Sequence, residues 1–328
     1  MVRFGIVGTN WITEAFLEGG RAVSGFELAA VYSRSGERAR DFAEKHGAAH
    51  TFTDIAEMAE SELIDAVYIA SPNSFHAEQS ILFMENGKHV LCEKPLASNT
   101  AEVEAMFEAA RGQGVVLMEA MKTTFLPGFK TIQEHLHKIG KPRRYFASFC
   151  KYSSRYDAYR RGEVLNAFNP EFSNGALMDL GIYCLYPLVV LYGEPEDVMA
   201  NGVLLESGVD GEGSLLLHYG DMDAVIMHSK IADSNLPCEI QGEEGSMVID
   251  KISEPERVEI RYRAGSKEVF DAKMERPSMS YEVEAFLDLL GNRETESQMN
   301  SYRHSAVTAA IMEKARKQFG LLYPADRK

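Results

Sequence analysis

A chain of 328 residues, 45% hydrophobic and 25% charged, has the composition of a folded globular protein and the length of two domains. Its formal net charge of −15 excludes nucleic acid and anionic membrane surfaces as partners, because their phosphates would be repelled. The four cysteines, Cys92, Cys150, Cys184 and Cys238, form no CxxC pair and read as small buried hydrophobes in a reducing, cytoplasmic compartment, with no metal called for.

Met1-Val2-Arg3 leads straight into an apolar run, so no signal peptide is expected. Short apolar strands at Val2–Val7, Leu28–Tyr32, Ala66–Ala70, His89–Cys92 and Val115–Met118 alternate with helical periodicity at Trp11–Ala22, Arg38–His46, His76–Asn86 and Thr100–Arg111. Strands joined by crossover helices make a parallel sheet covered on both faces, and residues 1–122 read as one α/β domain. From about Arg143 the texture changes. Tight turns at Gly220-Asp221, Gly242–Gly245 and Ala264-Gly265-Ser266 separate successive strands, the mark of antiparallel hairpins. One sheet from about Val198 to Phe270, interrupted by a helix with few charges (about Asn174–Leu191) and closed by helices at Tyr281–Leu290 and Tyr302–Phe319, gives residues 123–328 an α+β reading. The run Leu180–Gly193 is 14 residues long and holds Pro187, which suits a buried core helix better than a membrane span.

The first strand runs into Gly8-Thr9-Asn10-Trp11-Ile12-Thr13, where a dinucleotide fingerprint would place glycines. Only the first glycine is kept. Asn10 stands at the second position, where asparagine best tolerates positive φ, and the following helix N-terminus would offer N–H groups to a phosphate. An ordinary strand–turn–helix fits this segment as well. At the end of the second strand an NAD enzyme would carry a carboxylate for the ribose hydroxyls; this chain has Tyr32-Ser33-Arg34, with Arg38 one turn on. Ser33, Arg34 and Arg38 suit a 2′-phosphate, so a dinucleotide bound here would be NADP in preference to NAD, unless the loop is simply a solvated basic one. Ser71, Pro72 and Asn73 follow the strand ending at Ala70 and would lie over the cofactor, with Asn73 capping the next helix. His76 lies on that helix's first turn as a structural residue or hydrogen-bond partner of the site.

Val90-Leu91-Cys92-Glu93-Lys94-Pro95 ends a buried strand on a lysine that the proline holds extended, at the sheet edge where α/β proteins bind ligands. A cation there can polarise a carbonyl or lower the pKa of a nearby hydroxyl. Farther on, Gly175-Ala176-Leu177-Met178-Asp179-Leu180-Gly181-Ile182-Tyr183 puts Asp179 and Tyr183 four apart on one helical face. A carboxylate among so many apolar residues needs a partner, and Lys94 is the one this reading supplies.

These segments together resemble the Gfo/Idh/MocA oxidoreductase family over essentially the whole chain; the supporting pieces are Gly8–Thr13, Ser71–His76, Glu93-Lys94-Pro95 and Gly175–Tyr183. Tyrosine at 183 is more similar to the glucose–fructose oxidoreductase and dimeric dihydrodiol dehydrogenase branch than to the inositol dehydrogenases, which usually carry histidine there. The resemblance implies an N-terminal Rossmann dinucleotide-binding domain and a C-terminal α+β domain with a large, mainly antiparallel open sheet. It implies Lys94, Asp179 and Tyr183 as the catalytic group, and NAD(P) along Gly8, Thr9, Asn10, Trp11, Ile12, Ser33, Arg34, Arg38, Ser71, Pro72, Asn73, His76, Glu93 and Lys94. The implied substrate is a small polar sugar, cyclitol or diol, and the implied assembly a homodimer or dimer of dimers through the C-terminal sheet. Asn10, Thr13 and Asn174 depart from the glycine, alanine and glycine common in relatives.

Bringing a tyrosine from a pKa of ~10 toward ~7 takes about 4 kcal/mol. A lysine ~4 Å away supplies about 4 kcal/mol at an effective dielectric near 20 but only ~1 in water, so the chemistry calls for a water-excluded cleft. A non-catalytic NADP-binding regulator of the same fold is the alternative. The substrate pocket is expected from loops around Lys122–Phe129 and Lys151–Asn169, with Tyr152, Arg155, Tyr156, Tyr159 and Arg160 as ring-binding or surface residues.

Overall fold

Six parallel strands make the first sheet of the computed structural model, which describes residues 1–327. They are β1 (Val2–Val7), β2 (Phe26–Tyr32), β3 (His50–Phe52), β4 (Ala66–Ile69), β5 (His89–Glu93) and β6 (Leu117–Ala120), in the order β3-β2-β1-β4-β5-β6. The order reverses between β1 and β4, where Val7 lies opposite Ile69. That reversal opens a crevice at the carboxyl ends of the strands. All four residues of β4 are buried, as helices on both faces require. β3 and the helix Ile55–Glu60 leave little trace in the sequence pattern: the strand is three residues with no apolar run, and the helix is six residues, started by Asp54 accepting from Ala56 N–H.

The chain divides into two compact units, Met1–Lys122 with Glu275–Ser305, and Thr123–Met274 with Ala306–Lys328. The first boundary falls where the composition suggests, but Glu275–Ser305 lies with the first unit. Phe286, on the helix Ser280–Asn292, joins the core beside Phe4 at 5.8 Å between ring centroids, and Tyr302 stacks on Phe107 at 4.3 Å. Contiguity in sequence misleads here because that core is completed by a returning segment.

The second unit holds eight strands: β7 (Pro142–Cys150), β8 (Asp197–Leu204), β9 (Asp210–Tyr219), β10 (Met222–Ser229), β11 (Cys238–Gly242), β12 (Gly245–Ile249), β13 (Arg257–Tyr262) and β14 (Lys267–Asp271). The expected hairpin turns join β9 to β10, β11 to β12 and β13 to β14. One seam is parallel, β7 against β10, with Ala147 opposite Ile226. The helix Ile182–Tyr192 covers one face; its Cys184, Leu185, Tyr186, Leu188 and Val189 are buried, and Tyr145 of β7 donates its hydroxyl to Cys184 O at 3.0 Å. Each such aliphatic side chain stabilises the fold by about 1.5–3 kcal/mol. The helical run Pro170–Tyr192 is long and apolar enough to cross a membrane by length and composition alone, but 67% of its most apolar window is buried inside the unit.

Candidate active site

At the β1–β4 reversal a cleft of about 430 Å³ is lined by Gly8, Thr9, Asn10, Ser33, Arg34, Arg38, Ser71 and Pro72, eight of the residues expected from sequence. Tyr32, Ser35, Phe75 and Gln79 also line it and were not expected. Gly8 has φ +108, and a Cβ there would come within 2.6 Å of Ala70 O, so only glycine lets the turn lie against the end of β4. Asn10 does not use positive φ as the sequence suggested. At φ −109 it caps the helix Trp11–Arg21, its Oδ1 accepting from Ile12 N–H at 3.0 Å and Thr13 N–H at 3.4 Å. Its amide nitrogen donates to Ala70 O at 3.0 Å and ties β1's turn to β4. Two of the helix N-terminal N–H groups expected for a phosphate are thereby already engaged. Thr13, fully buried, donates its hydroxyl to Gly8 O at 3.0 Å, which explains how it replaces the small residue of the usual fingerprint. Trp11 is 67% exposed, and neither it nor Ile12 lines the cleft.

No carboxylate stands among the lining residues. Ser33 follows β2 and accepts from Ser35 N–H, while Ser35 caps the helix Gly36–His46 by accepting from Arg38 N–H. Two hydroxyls and two guanidinium groups thus converge where a ribose 2′-phosphate would be held, and the residues fit NADP. On the other wall Ser71 donates its hydroxyl to Gln79 Oε1 at 2.7 Å. Asn73 does not cap the following helix: it opens a one-turn segment, Asn73–Phe75, and Phe75 precedes the helix His76–Glu85 without a side-chain cap. His76 is buried, its Nδ1 2.9 Å from Pro95 O and its Nε2 2.9 Å from Ser71 O. Burial, and then Lys94, push its pKa down against the two carbonyls, and the neutral ring, with one N–H, donates to only one of them while lying between the turn after β4 and the Lys94-Pro95 corner.

Half-buried Lys94 leaves β5 through a cis peptide to Pro95. Glu93 beside it is buried and accepts from Tyr68 Oη at 2.5 Å; burial raises its pKa against the lowering by Lys94 and by that hydrogen bond. It lies outside the cleft lining. Glu119 on β6 accepts from Leu96 N–H at 2.9 Å and is pushed up to about 7 by burial. Glu282 is fully buried and its pKa is driven well up, by burial first and then by Glu93. Lys94 therefore belongs to a corner rich in buried carboxyl groups.

In the second unit the predicted helix starts differently from expectation. Leu177–Gly181 is a π-turn, and the α-helix begins at Ile182. Such turns recur at functional positions because they re-aim side chains. Asp210 of β9, fully buried, holds its start by accepting from Leu177 N–H at 2.7 Å. Asp179 and Tyr183 are both half-buried; Tyr183 meets Phe149 edge-on at 5.6 Å. Asp179 is given a cation by its own unit, Lys230 Nζ at 2.9 Å, a residue that sequence reasoning missed. Only its place just after a strand, at Ser229-Lys230, could have signalled it. The tyrosines of the Lys151–Asn169 loop are largely engaged with one another: Tyr156 stacks on Tyr159, Tyr159 packs on Phe168, and Tyr152 Oη donates to Asp157.

Family models match both parts of the chain: "Oxidoreductase family, NAD-binding Rossmann fold" over residues 2–121 and "GFO/IDH/MocA C-terminal domain" over residues 130–248. The chain belongs to the Gfo/Idh/MocA family. It is 61% identical over 327 residues to scyllo-inositol 2-dehydrogenase (NADP(+)) IolU of Bacillus subtilis, covering 100% of each chain. It is also 32% identical over 312 residues to trans-1,2-dihydrobenzene-1,2-diol dehydrogenase of Xenopus tropicalis, covering 91% of each. Among solved structures, the 3-ketoreductase KijD10 of Actinomadura kijaniata in complex with NADP and TDP-benzene superposes with a TM-score of 0.84 at 24% identity, over 97% of this chain and 98% of that one, a likeness of fold. Membership makes the protein an NAD(P)-dependent oxidoreductase acting on CH–OH groups, with its NAD-binding Rossmann fold over residues 2–121.

Proposed function

We propose that the protein is an NADP-dependent dehydrogenase that interconverts a ring hydroxyl and a ketone on a cyclitol such as scyllo-inositol. The observation that carries this reading is the full-length 61% identity to an NADP-dependent scyllo-inositol dehydrogenase, supported by a carboxylate-free ribose pocket. Kinship with dehydrogenases favours an enzyme over a regulatory binding protein. Tyr183 is the acid–base group on the reacting hydroxyl, Lys94 the cation that eases its deprotonation, and Asp179 the acceptor that orients a substrate hydroxyl. Bound nicotinamide would supply the hydride chemistry. Its four cysteines, all unpaired, suit a reducing cytoplasm.

Purified protein should reduce NADP⁺ with scyllo-inositol and oxidise NADPH with the corresponding ketone. Turnover of trans-dihydrodiols or aldoses at a rate tenfold above any inositol would displace the cyclitol reading. Fluorescence titration should show NADPH bound at least tenfold more tightly than NADH, the ~1.4 kcal/mol of one charge-assisted phosphate contact. Arg34→Ala should erase most of that gap. An equal affinity in the wild type, or an NADH preference, would remove the assignment of Ser33, Arg34 and Arg38.

The second unit's sheet leaves apolar side chains in the open on three neighbouring strands: Met199 and Val203 on β8, Leu216 on β9 and Met227 on β10 are 38–56% exposed. A stripe of this kind is the expected seat of a homodimer or dimer of dimers. Analytical ultracentrifugation at micromolar concentration should give at least twice the monomer mass, falling to the monomer in Leu216→Glu. A monomeric wild type would refute it.

A further inference from the structure

Lys230 follows β10 directly, and its backbone is tied on both sides: its N–H donates to Gly211 O at 2.8 Å and its carbonyl accepts from Ser153 N–H at 2.9 Å. Its side chain is 3% exposed, an environment in which an ammonium group is retained only if its donors are satisfied. Three acceptors surround Nζ: Asp179 Oδ2 at 2.9 Å, Ala167 O at 3.2 Å and Asn174 Oδ1 at 3.4 Å. The ring of Phe168 lies 5.4 Å away on a further side. An ammonium with three donors and three acceptors has no alternative arrangement within this shell. Asp179, by contrast, is 40% exposed at its side chain and sits on a π-turn. The buried member of the pair is the lysine, and the more exposed carboxylate accepts from it.

We propose that Lys230 is the positioning residue for the reaction, holding Asp179 aimed at the substrate while pinning the one-turn segment Asn166–Phe168 to the same point. This rests on the reading of Asp179 as the group that orients the substrate hydroxyl. Asn174 takes part in the same contact, which gives a physical role to asparagine at that position. A shell of this kind matters because a reacting group misplaced by ~1 Å can cost on the order of 10²-fold in rate.

The test compares Lys230→Met, Lys230→Arg, Asp179→Asn and the double variant Asp179→Asn/Lys230→Met, using NADP⁺ and the best substrate of the wild type. Lys230→Met keeps the length of the stem and should lose about 100-fold in kcat/KM, with NADPH affinity within twofold of wild type. Lys230→Arg should recover at least tenfold over Lys230→Met. The double variant should fall within threefold of Asp179→Asn, because a residue that acts through Asp179 has nothing left to position once the carboxylate is gone. A role in loop packing alone would instead multiply the two losses, and that result overturns the proposal, as does Lys230→Met within threefold of wild type. Wild-type turnover by Asp179→Asn would bring down the reading of Asp179 and this inference with it, whereas an impaired Asp179→Asn beside an active Lys230→Met removes only the role of Lys230. Should Lys230→Met not fold, the double variant decides: recovery of a folded protein when Asp179 is also neutral supports the pairing, and continued misfolding overturns it.

Discussion

Lys94→Met should lose two to four orders of magnitude in turnover, the range expected when the charge that supports a general acid–base group is removed. Methionine keeps the bulk of the lysine stem, so packing at the end of β5 is preserved and the measured loss reports charge. NADPH binding should stay within a few-fold of wild type, because the residues proposed to hold the 2′-phosphate, Ser33, Arg34 and Arg38, line the β1–β4 crevice away from Lys94. Tyr183→Phe should lose a similar amount, and Lys94→Met/Tyr183→Phe should be scarcely worse than either single variant, as for residues acting on one proton. The measurement is steady-state turnover of folded Lys94→Met with the wild type's substrate. A rate within a few-fold of wild type would show that Lys94 is not catalytic and would move the proton to another donor. His76 is a poor substitute. Both of its ring nitrogens face backbone carbonyls, and burial disfavours its charged form.

The lining of the β1–β4 cleft was legible because it is local in sequence. Gly8, Ser33, Arg34 and Ser71 follow directly from strand ends, and period and turn chemistry locate strand ends well. Asn10 lines the cleft, but not through the positive φ expected of it: its side chain caps a helix and bridges to Ala70, and its backbone is ordinary. Lys230 was invisible for the opposite reason. Its partner Asp179 is 51 residues earlier in the sequence, at positions 179 and 230, and only the β9–β10 pairing and the π-turn bring the two to 2.9 Å. The carboxyl corner around Lys94 was half legible. Glu93 is its neighbour in sequence, but Glu282 arrives on the returning helix Ser280–Asn292, which no local pattern assigns to the first unit.

The π-turn that presents Asp179 depends on one close approach, and Gly175→Ala should break it. Gly175 has φ +148, in the region that disfavours side chains, and a Cβ there would lie 2.0 Å from Asp210 Oδ1. Asp210 is fully buried, with His228 Nε2 3.4 Å from its Oδ2, so it has little room to withdraw. If it moves, the Leu177 N–H loses the acceptor that starts the turn. Backbone strain of about 1–3 kcal/mol and an unpaired buried amide of about 1–3 kcal/mol together put the expected loss at about 3 kcal/mol or more. Urea denaturation followed by the fluorescence of the second unit's tyrosines should show the midpoint falling accordingly. Activity should drop more than stability alone explains, because the displaced turn carries Asp179 and leads into Tyr183, while NADPH affinity measured below the transition should hold. Gly175→Ala with wild-type stability would mean that Asp210 yields freely and that the turn is set by something other than its carboxylate. A large stability loss with full activity in the folded fraction would mean that the turn's geometry does not aim Asp179.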